Sequence, residues 1–293
     1  MNSCSIALVA DWALRNPSAR SLILGAHDAS VSFGATLVLL PSELLLPTEP
    51  GTEAIVRTSR RHAVVHFDGA ILVNDGSNMP GLPRTLGTAP HVRVDTSGRM
   101  SGGRTIVADH AQAAKSIVDL LVQAGHRRIG YVGAAQTPDG PPDAWVNGVV
   151  HALLDADVFD PSLIFGDLPT AAGGRRSASQ ALCRVDAATA LVCFNGRVAI
   201  GVYQAAADLH LRIPDMLSIF ALDDAEAIAE DLRPPLSCLH LPYYDMGRQA
   251  VQSLLKILSS PDDQSEIKIG YDIVRRESDG CAAPQRVIDM TLI

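Results

Sequence analysis

The sequence lacks the cysteine patterns that organise disulfide-bonded or zinc-binding proteins. Its five cysteines are odd in number and widely scattered, and no two are spaced as Cys-x-x-Cys; they are Cys4, Cys183, Cys193, Cys238 and Cys281. Neither a disulfide framework nor a zinc site is therefore indicated. Such cysteine usage fits a reducing compartment, and we expect the protein to be cytoplasmic.

Long apolar runs are also missing. No segment approaches the ~20 apolar residues that a membrane span requires. The first residues, MNSCSIALVADW, lack the basic start and the long apolar stretch of a signal peptide. We therefore expect neither a membrane-bound nor an exported protein.

Positive charge is scarce, because no run of lysine and arginine exceeds two residues and the formal net charge is −8. This balance works against extended contact with nucleic acid or an anionic membrane. The sequence also lacks Gly-x-Ser-x-Gly, His-Glu-x-x-His and a glycine-rich loop followed by Lys-Ser or Lys-Thr. Its histidines show no metal-ligand spacing. We expect no enzymatic activity, no metal and no cofactor.

Aliphatic residues dominate the 293-residue chain, of which 47% is hydrophobic and only 4% aromatic. The length predicts two domains, or two lobes that share a seam. Aliphatic and β-branched runs alternate with helical stretches, as in βαβ units with a mainly parallel sheet, so we assign the chain to the α/β class. The predicted strands are 5–10, 35–40, 69–73, 91–94, 128–132, 190–194 and 217–222.

Capping residues predict where several helices begin and end. Asn16, which precedes a proline, marks one start, and Gly34 marks the end of that helix. A second helix, 110–124, ends at Gly125. Asp245 is the predicted N-cap of the last helix, which has one apolar face.

Five predicted strands run directly into an acidic or amide residue. In a parallel sheet these ends meet at one edge, where the ligands of open α/β folds bind. Each such residue could instead cap the helix that follows. For the five positions together we favour a site for a polyhydroxylated or otherwise polar solute, formed by Asp11, Asn74, Asp95, Asn195 and Asp223.

Several segments resemble the LacI/GalR type of transcription regulator. LRIPDMLSIFALDD at 211–224, PPLS at 234–237 and GRQAV at 247–251 match its C-terminal signature in order and spacing. AGHRRI at 124–129 agrees with it, and so does Asn195 with the Ala199 and Gly201 that follow. The resemblance covers nearly the whole chain, from about Ser5 to Ser278.

The resemblance implies a periplasmic-binding-protein-like core of type I, with two Rossmann-like lobes, parallel sheets and three interlobe crossings near Ala108, Leu241 and Lys268. The N-terminal lobe would be 1–107 plus 242–268, and the C-terminal lobe 108–241 plus 269–293. Members of the family begin with a helix-turn-helix headpiece. Because the first strand here starts at Ser5, we expect that headpiece to be absent from this chain. We therefore expect that operator DNA is bound only through a headpiece that this chain does not contain.

The resemblance also implies ligand-binding positions in the cleft between the lobes. Asp95, Asn195 and Asp223 keep the polar type of the family, and Tyr243 matches a place on the cleft wall that is often aromatic. Asn16, after the first strand, matches an Asn-Pro element of the family. Asn74 and Asp11 come from the strand-end pattern.

The sequence departs from the family at three places. Trp145 stands where an arginine is usual, Gly196 stands where an aspartate follows the asparagine, and Ser18 and Ala19 replace aromatic residues. A tryptophan offers a stacking face in place of a fork of donors. Trp12 is a candidate for the missing aromatic wall. Trp145 could equally be a packed helix residue, and Trp12 a loop residue that covers its lobe.

We therefore expect the effector-sensing domain of a LacI-type regulator, which acts as a homodimer and binds a small sugar-like molecule. Because of the tryptophans, we expect that molecule to differ from the simple hexoses and to carry an apolar or planar part. One alternative is the solute-binding receptor of a transport system, in which Cys4 would be the lipidation site. Another is a sensor that pairs with a protein and binds no solute. The candidate ligand-binding residues are Asp11, Trp12, Asn16, Asn74, Asp95, Trp145, Asn195, Asp223 and Tyr243.

Overall fold

The computed structural model describes residues 4–10, 17–40, 45–46, 53–57, 62–74, 90–95, 104–134, 144–224, 227–260 and 266–282. The chain divides into two compact units. Unit 1 comprises Met1–Ala108 and Pro242–Ile269, and unit 2 comprises Asp109–Leu241 and Gly270–Ile293. The chain therefore passes between the units at three points, after Ala108, Leu241 and Ile269.

Unit 1 contains a wholly parallel sheet. Its strands are β1 (Ser5–Val9), β2 (Thr36–Leu40), β6 (Gly69–Asn74), β7 (His91–Asp95), β8 (Thr105–Ala108) and β14 (Ile267–Ile269). They are arranged in the order β14-β8-β7-β6-β1-β2. Because β1 lies between β2 and β6, the strand order reverses beside β1. A separate antiparallel sheet, which the sequence patterns did not predict, consists of β3 (Leu45–Leu46), β4 (Glu53–Arg57) and β5 (His62–His66).

Two helices of unit 1, α1 (Pro17–Ser32) and α6 (Tyr243–Ser259), pack closely together. A Cβ atom on Gly25 would lie 1.9 Å from the carbonyl oxygen of Tyr244, so the contact requires glycine. Gly34, with φ +67°, follows the end of α1 as predicted. The prediction for Asp245 was wrong: the N-cap of α6 is Pro242, three residues earlier, and Asp245 lies within the first turn.

Unit 2 contains a sheet of five parallel strands and one antiparallel edge strand. Its strands are β9 (Ile129–Ala134), β10 (Ile164–Asp167), β11 (Ala190–Cys193), β12 (Ser218–Ala221), β13 (Ser237–His240) and β15 (Asp272–Val274). Their order is β10-β9-β11-β12-β13-β15, and β15 runs antiparallel to β13. The helices are α2 (His110–Gln123), α3 (Ala144–Asp155), α4 (Ala171–Leu182) and α5 (Gly196–Asp208).

Both faces of the sheet in unit 2 are covered, because alternate strand residues point to opposite sides. Val192 and Phe220 pack with residues of α2 and α3 in one core. Leu191 and Ile219 pack with residues of α4 and α5 in another. The continuous apolar character of these strands follows from this double burial.

The predicted α/β class is confirmed, and each of the seven predicted strands is present with its ends shifted by at most two residues. Among the described residues, no helix has both the length and the apolar character needed to cross a membrane.

Candidate functional site

The sheet of unit 2 reverses its strand order between β9 and β11. The chain forms β9, then β10 on one side of it, and then β11 on the other side. Ligands of open α/β sheets bind at the carboxyl ends of the strands beside such a reversal. Asn195 lies at this edge, directly after Phe194 and the end of β11.

A backbone hydrogen bond joins the segments that carry Asn195 and Asp223. β11 and β12 are parallel neighbours, so that their carboxyl ends lie side by side. The N–H of Gly196 donates to the carbonyl oxygen of Asp223 over 3.0 Å, and the N–H of Leu222 donates to that of Cys193 over 2.8 Å. The structure therefore brings these two predicted residues together at one edge of unit 2.

Asn195 is the N-cap of α5, in extended backbone conformation. Its side-chain oxygen accepts a hydrogen bond from the backbone N–H of Val198 over 2.9 Å. The capping interpretation is thus confirmed for this residue. Because the oxygen serves the helix, the amide NH2 group is the part of the side chain that can donate to a ligand.

Asp224, the neighbour of Asp223, has a local structural role. Its Oδ1 accepts hydrogen bonds from the N–H groups of Ile228 and Ala229, over 2.8 and 3.1 Å. Burial raises the pKa of Asp224 above its ordinary value, although these two bonds oppose the shift. Asp224 is therefore committed to this turn, and a ligand contact of Asp223 stays a prediction.

The glycine at position 196, where the family carries an aspartate, has a physical reason. A Cβ atom on Gly196 would lie 3.3 Å from Oδ1 of Asp224. An aspartate here would therefore bring another carboxylate close to a partly buried one, and like charges at such a distance repel.

Trp145 lies in the first turn of α3 and is only 6% exposed. Its ring centroid is 4.3 Å from that of His110 and 5.4 Å from that of Tyr271. The described contacts of the ring are thus with protein side chains, and the suggestion that it stacks on a ligand stays a prediction. The sequence indicates no role for His110, because the histidines show no metal-ligand spacing, and Tyr271 is not among the candidates; a contact between residues this far apart along the chain leaves no local pattern.

The structure describes three of the six candidate ligand-binding residues of unit 1. Asn74 ends β6 and Asp95 ends β7, and the two are register partners at the carboxyl edge of the sheet. Tyr243 is the first residue of α6 and is 9% exposed. The remaining three candidates, Asp11, Trp12 and Asn16, lie outside the described residues.

The described part of the chain contains no group of three or more His, Cys, Asp and Glu residues that could hold a metal ion. In each of the two parallel sheets the strand order reverses at one place, beside β1 in unit 1 and between β9 and β11 in unit 2. The structure therefore defines a two-unit protein of the α/β class, a fold whose ligands bind beside such reversals.

Comparison with known proteins identifies the family. A periplasmic binding protein-like domain matches residues 118–278. The chain belongs to this family and, within it, to the LacI/GalR type.

Two curated relatives are transcription regulators. The ribose operon repressor of Haemophilus influenzae is 33% identical over 144 residues, which are 49% of this chain and 43% of that protein. The HTH-type transcriptional regulator MalR of Streptomyces coelicolor is 31% identical over 203 residues, which are 67% of this chain and 58% of that protein. The chain therefore covers less than two thirds of either relative.

Solved structures show the same fold. A LacI family transcriptional regulator from Enterococcus faecium, with bound ribose, superposes with a TM-score of 0.69 at 18% identity. The match covers 94% of this chain and 98% of that one. At this identity the likeness supports the fold alone.

Proposed function

We propose that the chain is the effector-sensing domain of a LacI-type transcription regulator and that it binds its effector without changing it chemically. The observation that carries this proposal is the backbone hydrogen bond from Gly196 to Asp223, which brings together the segments that carry Asn195 and Asp223 at the carboxyl edge of the sheet in unit 2. An amide donor and a carboxylate acceptor can recognise hydroxyl groups and need no nucleophile or metal.

The effector is a neutral, polyhydroxylated, sugar-like molecule. The carboxylate of Asp223 can accept hydrogen bonds from hydroxyl groups, and the amide of Asn195 can donate to hydroxyl or ring oxygens. The name of the Haemophilus relative and the ligand of the Enterococcus structure make ribose the first probe.

The effector also contacts unit 1, through Asn74, Asp95 and Tyr243, with further contacts from Asp11, Trp12 and Asn16. We take the moving bodies to be 1–107 plus 242–268 and 108–241 plus 269–293. A ligand that contacts both favours one arrangement over another, which is a shift of population.

This shift would be passed on within a cytoplasmic homodimer. Contact with operator DNA would be made by a helix-turn-helix headpiece, as in the family, because a chain with a formal net charge of −8 is poorly suited to grip DNA.

A thermal-shift screen tests the proposal. The purified protein is heated with ribose, other neutral sugars, polyols and nucleosides over a range of concentrations. At least one compound should raise the melting temperature in a saturable way, since a ligand present at 100 times its Kd stabilises the folded state by about 2.7 kcal/mol. If no compound shifts the melting temperature at millimolar concentration, a sensor that binds only another protein becomes the better interpretation.

A further inference from the structure

Two of the three connections between the units run side by side. In unit 1, β14 pairs with β8 in parallel, with Ile269 opposite Ala108 as the last pair. Both strands then leave unit 1 at these residues. Two residues beyond the end of each strand, in unit 2, the hydroxyl of Tyr271 is hydrogen-bonded to Nδ1 of His110.

The side-chain bond continues the register of the strands. Tyr271 and His110 are 161 positions apart, the same offset that separates Ile269 from Ala108. The pairing of β8 with β14 is thus extended across the boundary of the units, with a side-chain hydrogen bond in place of a backbone ladder.

Trp145 shields this bond. The ring of Trp145 packs against both partners, and His110 is itself only 4% exposed. Tyr271 is partly exposed, so the bond is partly buried, and a hydrogen bond with restricted access to water is electrostatically stronger than a fully exposed one.

The strand β14 needs such an anchor. It has three residues, none of them fully buried, and it is the outermost strand of its sheet. So short an edge strand gains little from its own pairing. The Tyr271–His110 bond, two residues beyond the end of β14, restricts this segment and so reduces the chain entropy that is lost when β14 pairs with β8.

We infer that Tyr271 and His110 are positioning residues. Their hydrogen bond joins the connection that follows Ala108 to the one that follows Ile269, and it thereby stabilises the pairing of β14 with β8. An effector-driven change between the units would then act on the joined pair, and this consequence alone depends on the proposed function. The connection itself is tested without any effector.

Hydrogen exchange on the whole chain provides the test. Tyr271→Phe removes only the hydroxyl, and Tyr203→Phe is the matched control, because it removes a hydroxyl of unit 2 that donates to the carbonyl oxygen of Pro234 over 2.8 Å. In Tyr271→Phe, backbone amides of β14, residues 267–269, should exchange roughly fivefold to tenfold faster, the effect expected from the loss of one hydrogen bond. They should be unchanged in Tyr203→Phe.

The substitution is in unit 2, whereas the faster amide exchange is expected in β14 of unit 1. If Tyr271 served only to pack unit 2, exchange in β14 would not change. Unchanged exchange in β14, faster exchange confined to unit 2, or a uniform rise over the whole chain would each overturn the inference. His110→Leu, which removes the acceptor, should reproduce the effect at β14. The double variant should add little to either single variant, because both remove the same bond.

Discussion

The backbone N–H of Gly196 lies 3.0 Å from the carbonyl oxygen of Asp223, to which it donates a hydrogen bond. This bond ties the first residue of α5 to the segment that follows β12. Because Asn195 immediately precedes Gly196, the bond fixes the spacing of the backbone at the two residues that we propose for effector binding. Main-chain placement of this kind is a form of preorganisation, which lowers the entropy lost on binding.

The two roles of Asn195 can be separated by substitution. Asn195→Asp keeps an oxygen that can cap α5, so stability should change by less than about 0.5 kcal/mol, whereas Asn195→Ala should lose about 1 kcal/mol. Both variants lack the amide donor and should bind the sugar found by the thermal-shift screen about tenfold more weakly. Urea unfolding and calorimetric titration measure the two effects. Full affinity in Asn195→Asp would show that the amide does not contact the ligand.

His126 should make the stability of the protein depend on pH. Its Nε2 donates to the carbonyl oxygen of Gly280 over 3.1 Å, so its Nδ1 accepts from the hydroxyl of Thr189, 2.9 Å away. Burial lowers the pKa of His126, against the opposing effect of the bond to Gly280. Below the ordinary histidine pKa of about 6.5, the unfolded chain therefore binds more protons than the folded one, and stability should fall as the pH drops.

Urea unfolding between pH 5 and 8 measures this effect. His126→Gln should flatten the dependence on pH, even though it lowers stability at pH 8. The exposed His151 of α3 provides the control, and His151→Gln should keep the full dependence. The same slope in His126→Gln and in the wild type would contradict the assignment.

Asp224 should also make the stability of the protein depend on pH. As for His126, the cause is burial, but the dependence has the opposite sign. Because burial raises the pKa of its carboxyl group, the folded state binds more protons than the unfolded state above the ordinary pKa of 3.8. Stability from this group therefore falls as the pH rises through that window. Asp224→Asn keeps an acceptor for Ile228 and Ala229, so the variant should be at least as stable as the wild type at pH 7. A marked loss of stability there would mean that the charge itself is needed.

Gly201 is required for the contact between α4 and α5. A Cβ atom there would lie 2.0 Å from the carbonyl oxygen of Ala171. Gly201→Ala should cost about 1–3 kcal/mol through overpacking, despite the better helix propensity of alanine. Gly270→Ala is the control, because a Cβ atom on Gly270 meets nothing within 4 Å. Thermal unfolding measures both, and equal stabilities would refute the packing argument.

Sequence patterns predicted the central strands because their residues are buried on both faces of the sheet. Runs such as 190–194 are continuously apolar and end at a polar residue, and both features follow from their place in a parallel sheet. The shorter strands have no such pattern. β13, with the sequence SCLH, and β15, with DIV, are strands because their neighbours pair with them.

The candidate site was predictable only where local sequence determines it. Asn195 and Asp223 each lie two residues beyond the end of a strand, so the strand pattern located both. The His110–Tyr271 bond joins residues 161 positions apart and depends on how β8 and β14 leave unit 1. Asp245 shows the opposite error: a residue type that often caps helices lies within the first turn of α6, and the N-cap is Pro242, which makes no side-chain capping bond.

Calorimetric titration of Asp223→Ala tests the central claim most directly. The ligand is the sugar with the largest thermal shift, and the control is Asp215→Ala, since Asp215 is a surface residue of unit 2 with a 64% exposed side chain paired to Arg212. Loss of a hydrogen bond to a charged group predicts a roughly tenfold to hundredfold weaker affinity for Asp223→Ala and an unchanged affinity for Asp215→Ala. Wild-type affinity in Asp223→Ala would contradict the account.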